Sequence, residues 1–373
     1  MHFAHAKQST LYFKITNTEE NHHEYQYVNG LNVLPDEFNE NPNDACCKNG
    51  FYFTNVTNIF NFIDHGIYLR EVSLPTDNPN FLMVKDKFEN KWRANMIILG
   101  KRYDLFNMNT FKYLIENGAN IHANRDYALR LSAKYGHTNI VEYLVNNGAD
   151  IQVNNDSPLC LAATNGHADI VEFLIKSGAN VSVDNDFALC ISAKFGHLAV
   201  VKILVNNNAN IHTNNDFALR SSAHNGHVNV VKYLVEHGAN IHVKNDYALR
   251  KSAKHGYLDV VKYIVECGAA YPKGAARPLE SAANVHAIND YALRLSAKSG
   301  HFDIVKYLVE RDADIHVKCD YALRVGAYFG HANIVTYLVE CGADIHADDN
   351  FALHCSKENG HLDVYEYLKS KFH

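Results

Sequence analysis

Histidine follows glycine at His137, His167, His197, His227, His301, His331 and His361, with Tyr257 in the same column, and a second histidine column runs through His122, His212, His242, His286, His316 and His346. Imidazole is the commonest protein metal ligand, and 23 histidines in one chain raise that possibility at once. The spacing argues against it. Elements stacked side by side lie roughly 8–10 Å apart, whereas imidazoles sharing a zinc need bonds of about 2 Å. Both columns are expected to make turn-stabilising hydrogen bonds instead. Cys160 and Cys190 share a column and exceed disulfide reach for the same reason, so they read as packing residues. The other cysteines form no CxxC pair, which fits a reducing, intracellular compartment. His22 and His23 with Cys46 and Cys47 are a looser metal candidate, lacking a second pair at zinc-finger spacing. No metal and no cofactor is expected.

The columns exist because the chain repeats. Asp126, Asp156, Asp186, Asp216 and Asp246 follow one another at 30 residues; Asp290 and Asp320 resume the spacing, and Asn350 takes the place in the last copy. A period of this size points to a solenoid, in which one unit cannot bury its apolar face alone. Each unit reads as two short helices. Asp126 is placed to cap the first by accepting otherwise unpaired N–H groups, and Ala128, Leu129, Ser132 and Ala133 form its buried face. Gly136 ends it, as a left-handed residue would. Ile140, Val141, Leu144 and Val145 are the apolar face of the second helix, which ends at Gly148; in that column the exceptions are Asn208 and Asp312, residue types that tolerate the left-handed conformation. Columns 129, 133, 141 and 144 are expected to be buried in every internal copy.

The pattern Gly136-His137, Ile140-Val141, Leu144 and Gly148-Ala149-Asp150 resembles the ankyrin repeat, and Ser157-Pro158-Leu159-Cys160-Leu161-Ala162-Ala163 is the copy most similar to that family's helix start. The resemblance covers roughly residues 95–373. Ankyrin units usually run to about 33 residues, and the shortage here falls in the crossing between units, so a tight turn is expected in place of a β-hairpin finger. The degenerate copy at 95–124 reads as an N-terminal cap, and the last copy, with Lys357 in an apolar column, as the C-terminal cap. The stretch Arg277-Pro278-Leu279-Glu280-Ser281-Ala282-Ala283 aligns with Tyr247-Ala248-Leu249-Arg250-Lys251-Ser252-Ala253 and reads as a partial repeat at 270–283. A lone first helix would leave a void in a close-packed stack, so it is expected to be displaced, with the helix near 258–267 packing directly on that near 302–311.

Residues 1–94 do not repeat. Strands are expected at 11–15, 25–34, 51–54 and 67–74, with a short helix at 58–64, giving a small α+β domain packed on the first repeats through Trp92 and residues 96–99. Cys46 to Phe53 and Gly66 to Val72, joined to such repeats, resemble the expanded ankyrin-repeat family of giant amoeba-infecting DNA viruses. An enzyme reading would place Tyr52, His65 and Glu71 in a cleft, as in an ADP-ribosyltransferase-like fold, but no nucleophile motif, phosphate loop or carboxylate pair accompanies them.

The net charge of −6 with signs mixed gives no call for nucleic acid or an anionic membrane, and no apolar run reaches spanning length. Arg130, Arg220, Arg250, Arg294 and Arg324 stand four residues after the Asp column, a spacing that favours a weak local ion pair. The chain is identified as a mainly α ankyrin-repeat solenoid over 95–373, with about eight full repeats, no sheet in that region, and an α+β domain over 1–94. The resemblance implies a non-enzymatic scaffold, monomeric and in the host cytoplasm, that holds a protein partner on a concave surface. The family's recognition positions fall on Lys134 and Tyr135, Thr164 and Asn165, Lys194 and Phe195, His224 and Asn225, Lys254 and His255, Lys298 and Ser299, and Tyr328 and Phe329. With His373 directly after the last repeat, an adaptor role is expected to fall to the N-terminal domain.

Overall fold

A computed structural model describes residues 10–22, 24–44, 49–87, 89–267 and 283–372. The partial repeat, except Ala283, and His23, Cys46 and Cys47 of the metal candidate lie outside these residues. The chain forms two compact units, Met1–Asn180 and Val181–His373.

The first unit opens on strands β1 (Tyr12–Thr16), β2 (Asn21–His22), β3 (Tyr25–Gln26), β4 (Gly30–Val33), β5 (Phe51–Asn55), β6 (Tyr68–Ser73), β7 (Met83–Lys85), β8 (Trp92–Ala94) and β9 (Met96–Asp104). Seven of them make one antiparallel sheet in the order β4-β9-β6-β1-β5-β8-β7, and β2 pairs with β3. Alternation along β1 sends Tyr12 to one face, where Tyr27, Phe51, Phe53, Val72, Ile97 and Leu99 form a core, and Phe13 to the other. There the 3-10 helix Val56–Phe62 brings Phe60 onto Phe111, with ring centroids 5.4 Å apart. The strands expected at 11–15, 51–54 and 67–74 are present, whereas that expected at 25–34 is broken into β3 and β4, which pair in different sheets, and the short helix expected at 58–64 is this 3-10 helix at 56–62.

Two expectations about this region change. Residues 96–104 are a strand of the sheet, not part of a helical layer, because Met96, Ile97 and Leu99 complete the core between β4 and β6. Only the second helix of the degenerate copy forms, at Met108–Glu116. Trp92 is not at the junction with the repeats; it packs on Tyr12 and Phe53 in the sheet core. The junction is built by the 3-10 helix and its flank. Asn120 N–H donates to the Thr57 carbonyl at 3.1 Å, and Tyr127 Oη donates to Asp64 at 2.9 Å.

Eight helix pairs follow among the described residues, from Ala123–Tyr135 with Thr138–Asn146 to Ala347–Glu358 with Leu362–Ser370. Two pairs lie in the first unit and six in the second. Columns 129, 133, 141 and 144 are essentially inaccessible in every internal copy, as Leu159, Ala193, Val231 and Leu338 exemplify. The last copy exposes Lys357, as a terminal cap does. No strand forms between the helix pairs among the described residues.

The 14-residue excess leaves the stacking intact. Val243–His255 packs on Ala287–Lys298, and Leu258–Glu266 on Phe302–Val309, as expected. Ala283 N–H donates to the Ile264 carbonyl at 3.2 Å, as Ala239 N–H does to Leu234 at 2.9 Å. Ala283 thus holds the position of the alanine that follows glycine in the other copies.

Candidate functional site

The crossing between units is a turn of opposite hand. Asn124, Arg125 and Asp126 have φ of 48°, 56° and 50°, and the same three positions are left-handed in all eight pairs. This conformation costs roughly 1–2 kcal/mol for an ordinary residue and least for Asn, Asp and Gly, which explains the Asn-Asp dipeptides at 155–156, 185–186, 215–216, 245–246 and 289–290. The Asp column is therefore not the expected helix cap. Asp126 Oδ1 accepts from the backbone N–H of Asp150, 3.0 Å away at the start of the next repeat, and lies 3.0 Å from His122 Nδ1. Asp216, Asp246, Asp290 and Asp320 make the same pair of contacts. Each of these carboxylates is buried and ties one repeat to the next.

The Arg column also differs from expectation. With the Asp oxygens committed, Arg130 donates from Nε and Nη2 to the carbonyls of Arg125 and Asn124 at 3.0 and 2.8 Å. Arg220, Arg250, Arg294 and Arg324 clamp their own turns in the same way. In the second unit each guanidinium also lies between two rings. Arg220 sits 5.5 and 5.3 Å from the centroids of Phe217 and Tyr247, and Arg294 4.7 and 5.5 Å from Tyr291 and Tyr321. Arg250 bridges Tyr247 and Tyr291, and Arg324 bridges Tyr321 and Phe351. The alternating ladder runs from Phe217 to Phe351 across the excess segment. Sequence reasoning missed it, although an aromatic three residues before each Arg was visible; its meaning depended on the left-handed turn.

The Gly-His column joins successive repeats at the opposite end of the first helix. His167 Nε2 lies 2.9 Å from the Lys134 carbonyl, 33 residues back. His227, His331 and His361 make the same contact with Lys194, Lys298 and Tyr328. His301 makes it with Lys254 at 3.0 Å across 47 residues, so the excess segment is bypassed here too. Gly136, at φ 81°, is required twice over: a Cβ there would meet the His167 ring at 2.7 Å. These imidazoles staple one repeat to the next, and among the described residues no group of three or more His, Cys, Asp or Glu could hold a metal ion.

Beyond those staples the helix ends face solvent. Tyr135 is 54% exposed, Phe195 48%, Tyr328 44% and Phe329 42%. Lys134 and Lys194 lie over the rings of Tyr135 and Phe195. His224 and His255 meet with centroids 4.6 Å apart. Partial burial first, then Lys251, Lys254 and Lys194, push His224 below the usual imidazole range; burial, His224 and Lys254 do the same for His255.

The family model described as Ankyrin repeats (3 copies) matches residues 103–185, 182–245 and 293–373. The chain belongs to the ankyrin-repeat family. An ankyrin repeat protein of Acanthamoeba polyphaga mimivirus is 48% identical over 133 residues, which are 36% of this chain and 65% of that protein. An uncharacterized protein of the same virus is 47% identical over 131 residues, 35% of this chain and 94% of its own length. A further mimivirus ankyrin repeat protein is 40% identical over 129 residues, 35% of this chain and 39% of its length. The chain therefore spans under two thirds of the first and third of these relatives.

Seen as ankyrin repeats, Lys134, Tyr135, Lys194, Phe195, Lys254, His255, Tyr328 and Phe329 all fall at exposed ends of first helices. The enzyme reading finds its residues apart. Tyr52 and His65 line a cavity in the sheet domain, but Glu71 points elsewhere and accepts from the hydroxyls of Tyr103 and Tyr113. No helix among the described residues is long and apolar enough to cross a membrane.

Proposed function

We propose that this ankyrin-repeat chain is a non-catalytic protein-interaction scaffold that acts in the cytoplasm of an infected host cell as a monomer. Its repeat domain, placed at 95–373, captures a protein partner through the ends of the first helices, and the domain at 1–94 supplies a separate function. Strand Met96–Asp104, at the start of the second of these parts, completes the sheet of the first. The observation that carries the reading is large aromatic side chains held in solvent on a frame whose own columns are fully buried. An exposed ring there has no packing role that the repeat requires, and aromatic anchors concentrate binding energy in protein interfaces. The Arg column is occupied by turn carbonyls and ring faces, which favours a protein partner over nucleic acid.

Replacing Tyr135, Phe195, Tyr328 and Phe329 by alanine should abolish partner capture from host-cell extract while shifting the thermal melt little. Leu338→Ala is the control in the other direction: it should cost roughly 2–5 kcal/mol of stability without changing capture by the folded fraction. Capture undiminished in the four-aromatic variant overturns the assignment.

A further inference from the structure

The sheet domain contains a cleft that the repeats do not explain. β1 pairs with β6 along its whole length but with β5 only at Tyr12 opposite Asn55 and Phe13 opposite Thr54. Past Phe13 the two strands part, and a cavity of about 270 Å³ lies at the split. Lys14 lines it while only 6% exposed, with Nζ 2.9 Å from the Tyr52 carbonyl and 4.6 Å from the Tyr27 ring centroid. Among the described residues no carboxylate pairs with this amine. Burial lowers its pKa to about 7. A buried amine next to a cavity, with no anion of its own, is an uncommon arrangement for a purely structural lysine.

The rest of the lining has the same bias. His22, His65 and Lys91 add basic groups, Tyr27, Tyr52 and Phe62 supply flat apolar walls, and no described lining residue is acidic. The carboxylates nearby stand outside, Asp64 at 3.7 Å from His65 and Glu89 at 2.5 Å from Lys91. A ligand's anionic head would displace water at Lys14, while its ring would bury against the aromatic walls.

We propose that the cleft between β1 and β5 binds a small aromatic anion, of one or two rings carrying a carboxylate or phosphate, with its charge against Lys14. The volume suits a ligand of that size. Arrival of the anion favours the ammonium form, so binding takes up a proton at Lys14 and tightens as pH falls from about 8.5 to about 6.5. His22, His65 and Lys91 face the same cleft. Asp64 stands beside His65 and Glu89 beside Lys91, so neither carboxylate faces Lys14.

The test uses the full chain and three probes, followed by calorimetry: 2-naphthoate, phenyl phosphate and uncharged 2-naphthamide. At least one anion should bind about tenfold or more tightly than the amide, and which one wins separates carboxylate from phosphate recognition. Lys14→Met should lose about tenfold or more of that affinity, the scale of one charged hydrogen bond. His65→Ala, at an exposed rim position, should weaken binding by a few fold and keep the fold in case Lys14→Met does not. Failure of both anions to bind, no preference over the amide, or unchanged affinity in folded Lys14→Met overturns the proposal. So does an affinity that is flat with pH in the wild-type chain.

Discussion

Ile288 has φ 54° and ψ 48°, a left-handed backbone on a β-branched residue whose side chain is 43% exposed. Its position is Asn in three copies and Asp in two others. Nothing in the turn needs the isoleucine side chain, because the Arg294 clamp uses the Ile288 carbonyl at 2.8 Å. Ile288→Asn should therefore stabilise the chain by about 1 kcal/mol, read as a higher midpoint in urea at unchanged slope. A lower midpoint would mean that the isoleucine makes an apolar contact worth more than the strain. Lys14 gives a second prediction at this scale. Its folded pKa, about 7, lies below the unfolded value of 10.5, so between the two the unfolded chain binds more protons and stability rises with pH. The cost of burying the ammonium is full below about pH 7 and gone above about 10.5. Measured by denaturant titration across this range, wild type should gain on Lys14→Met as pH rises; parallel curves would show that the amine is hydrated.

The 14 residues between Ala269 and Ala282 interrupt the period of the sequence without interrupting the stack, since Asp246, Arg250, Lys254 and Ile264 all reach their partners in the following unit. Deleting them restores the 30-residue spacing. Stability should change little, by under about 1 kcal/mol, because the entropy of closing a connection depends only weakly on its length; a thermal midpoint lower by several degrees would show that these residues contribute to the stack. Much of this element architecture was legible in advance. Burial of Leu129, Ala133, Val141 and Leu144 followed from helical periodicity, and the left-handed ends from Gly136, Asn208 and Asp312. The failures share a cause: Asp126 and Arg130 were paired by helical spacing, yet residues 124–126 turn the other way and send the carboxylate to Asp150 and the guanidinium to carbonyls. Short strands at 83–85 and 92–94 carry too few residues for alternation to register. The Lys14 cleft was invisible because it arises where β1 and β5 part, a relation between segments 38 residues apart.

At the scale of the whole chain, electrostatics and apolar anchoring should separate by rate. The protein carries −6 overall, yet Lys134, Lys194 and Lys254 stand exposed beside the aromatic helix ends. Charges at an interface rim act mainly on the association rate and its salt dependence, whereas desolvated aromatic anchors set how long a complex lasts. Replacing the three lysines by alanine takes the formal charge from −6 to −9 and leaves every buried column untouched. Against a partner recovered from host extract, that variant should associate several-fold more slowly at low salt, with the deficit closing near 1 M, where screening acts over about 3 Å. Its dissociation rate should stay close to wild type. The four-aromatic variant should show the reverse, dissociating faster at every salt concentration. Biolayer interferometry on the immobilised partner reads both rates in one experiment. A lysine variant that dissociates as fast as the aromatic one would place the charges inside the desolvated contact, and the aromatic rings would no longer be its centre.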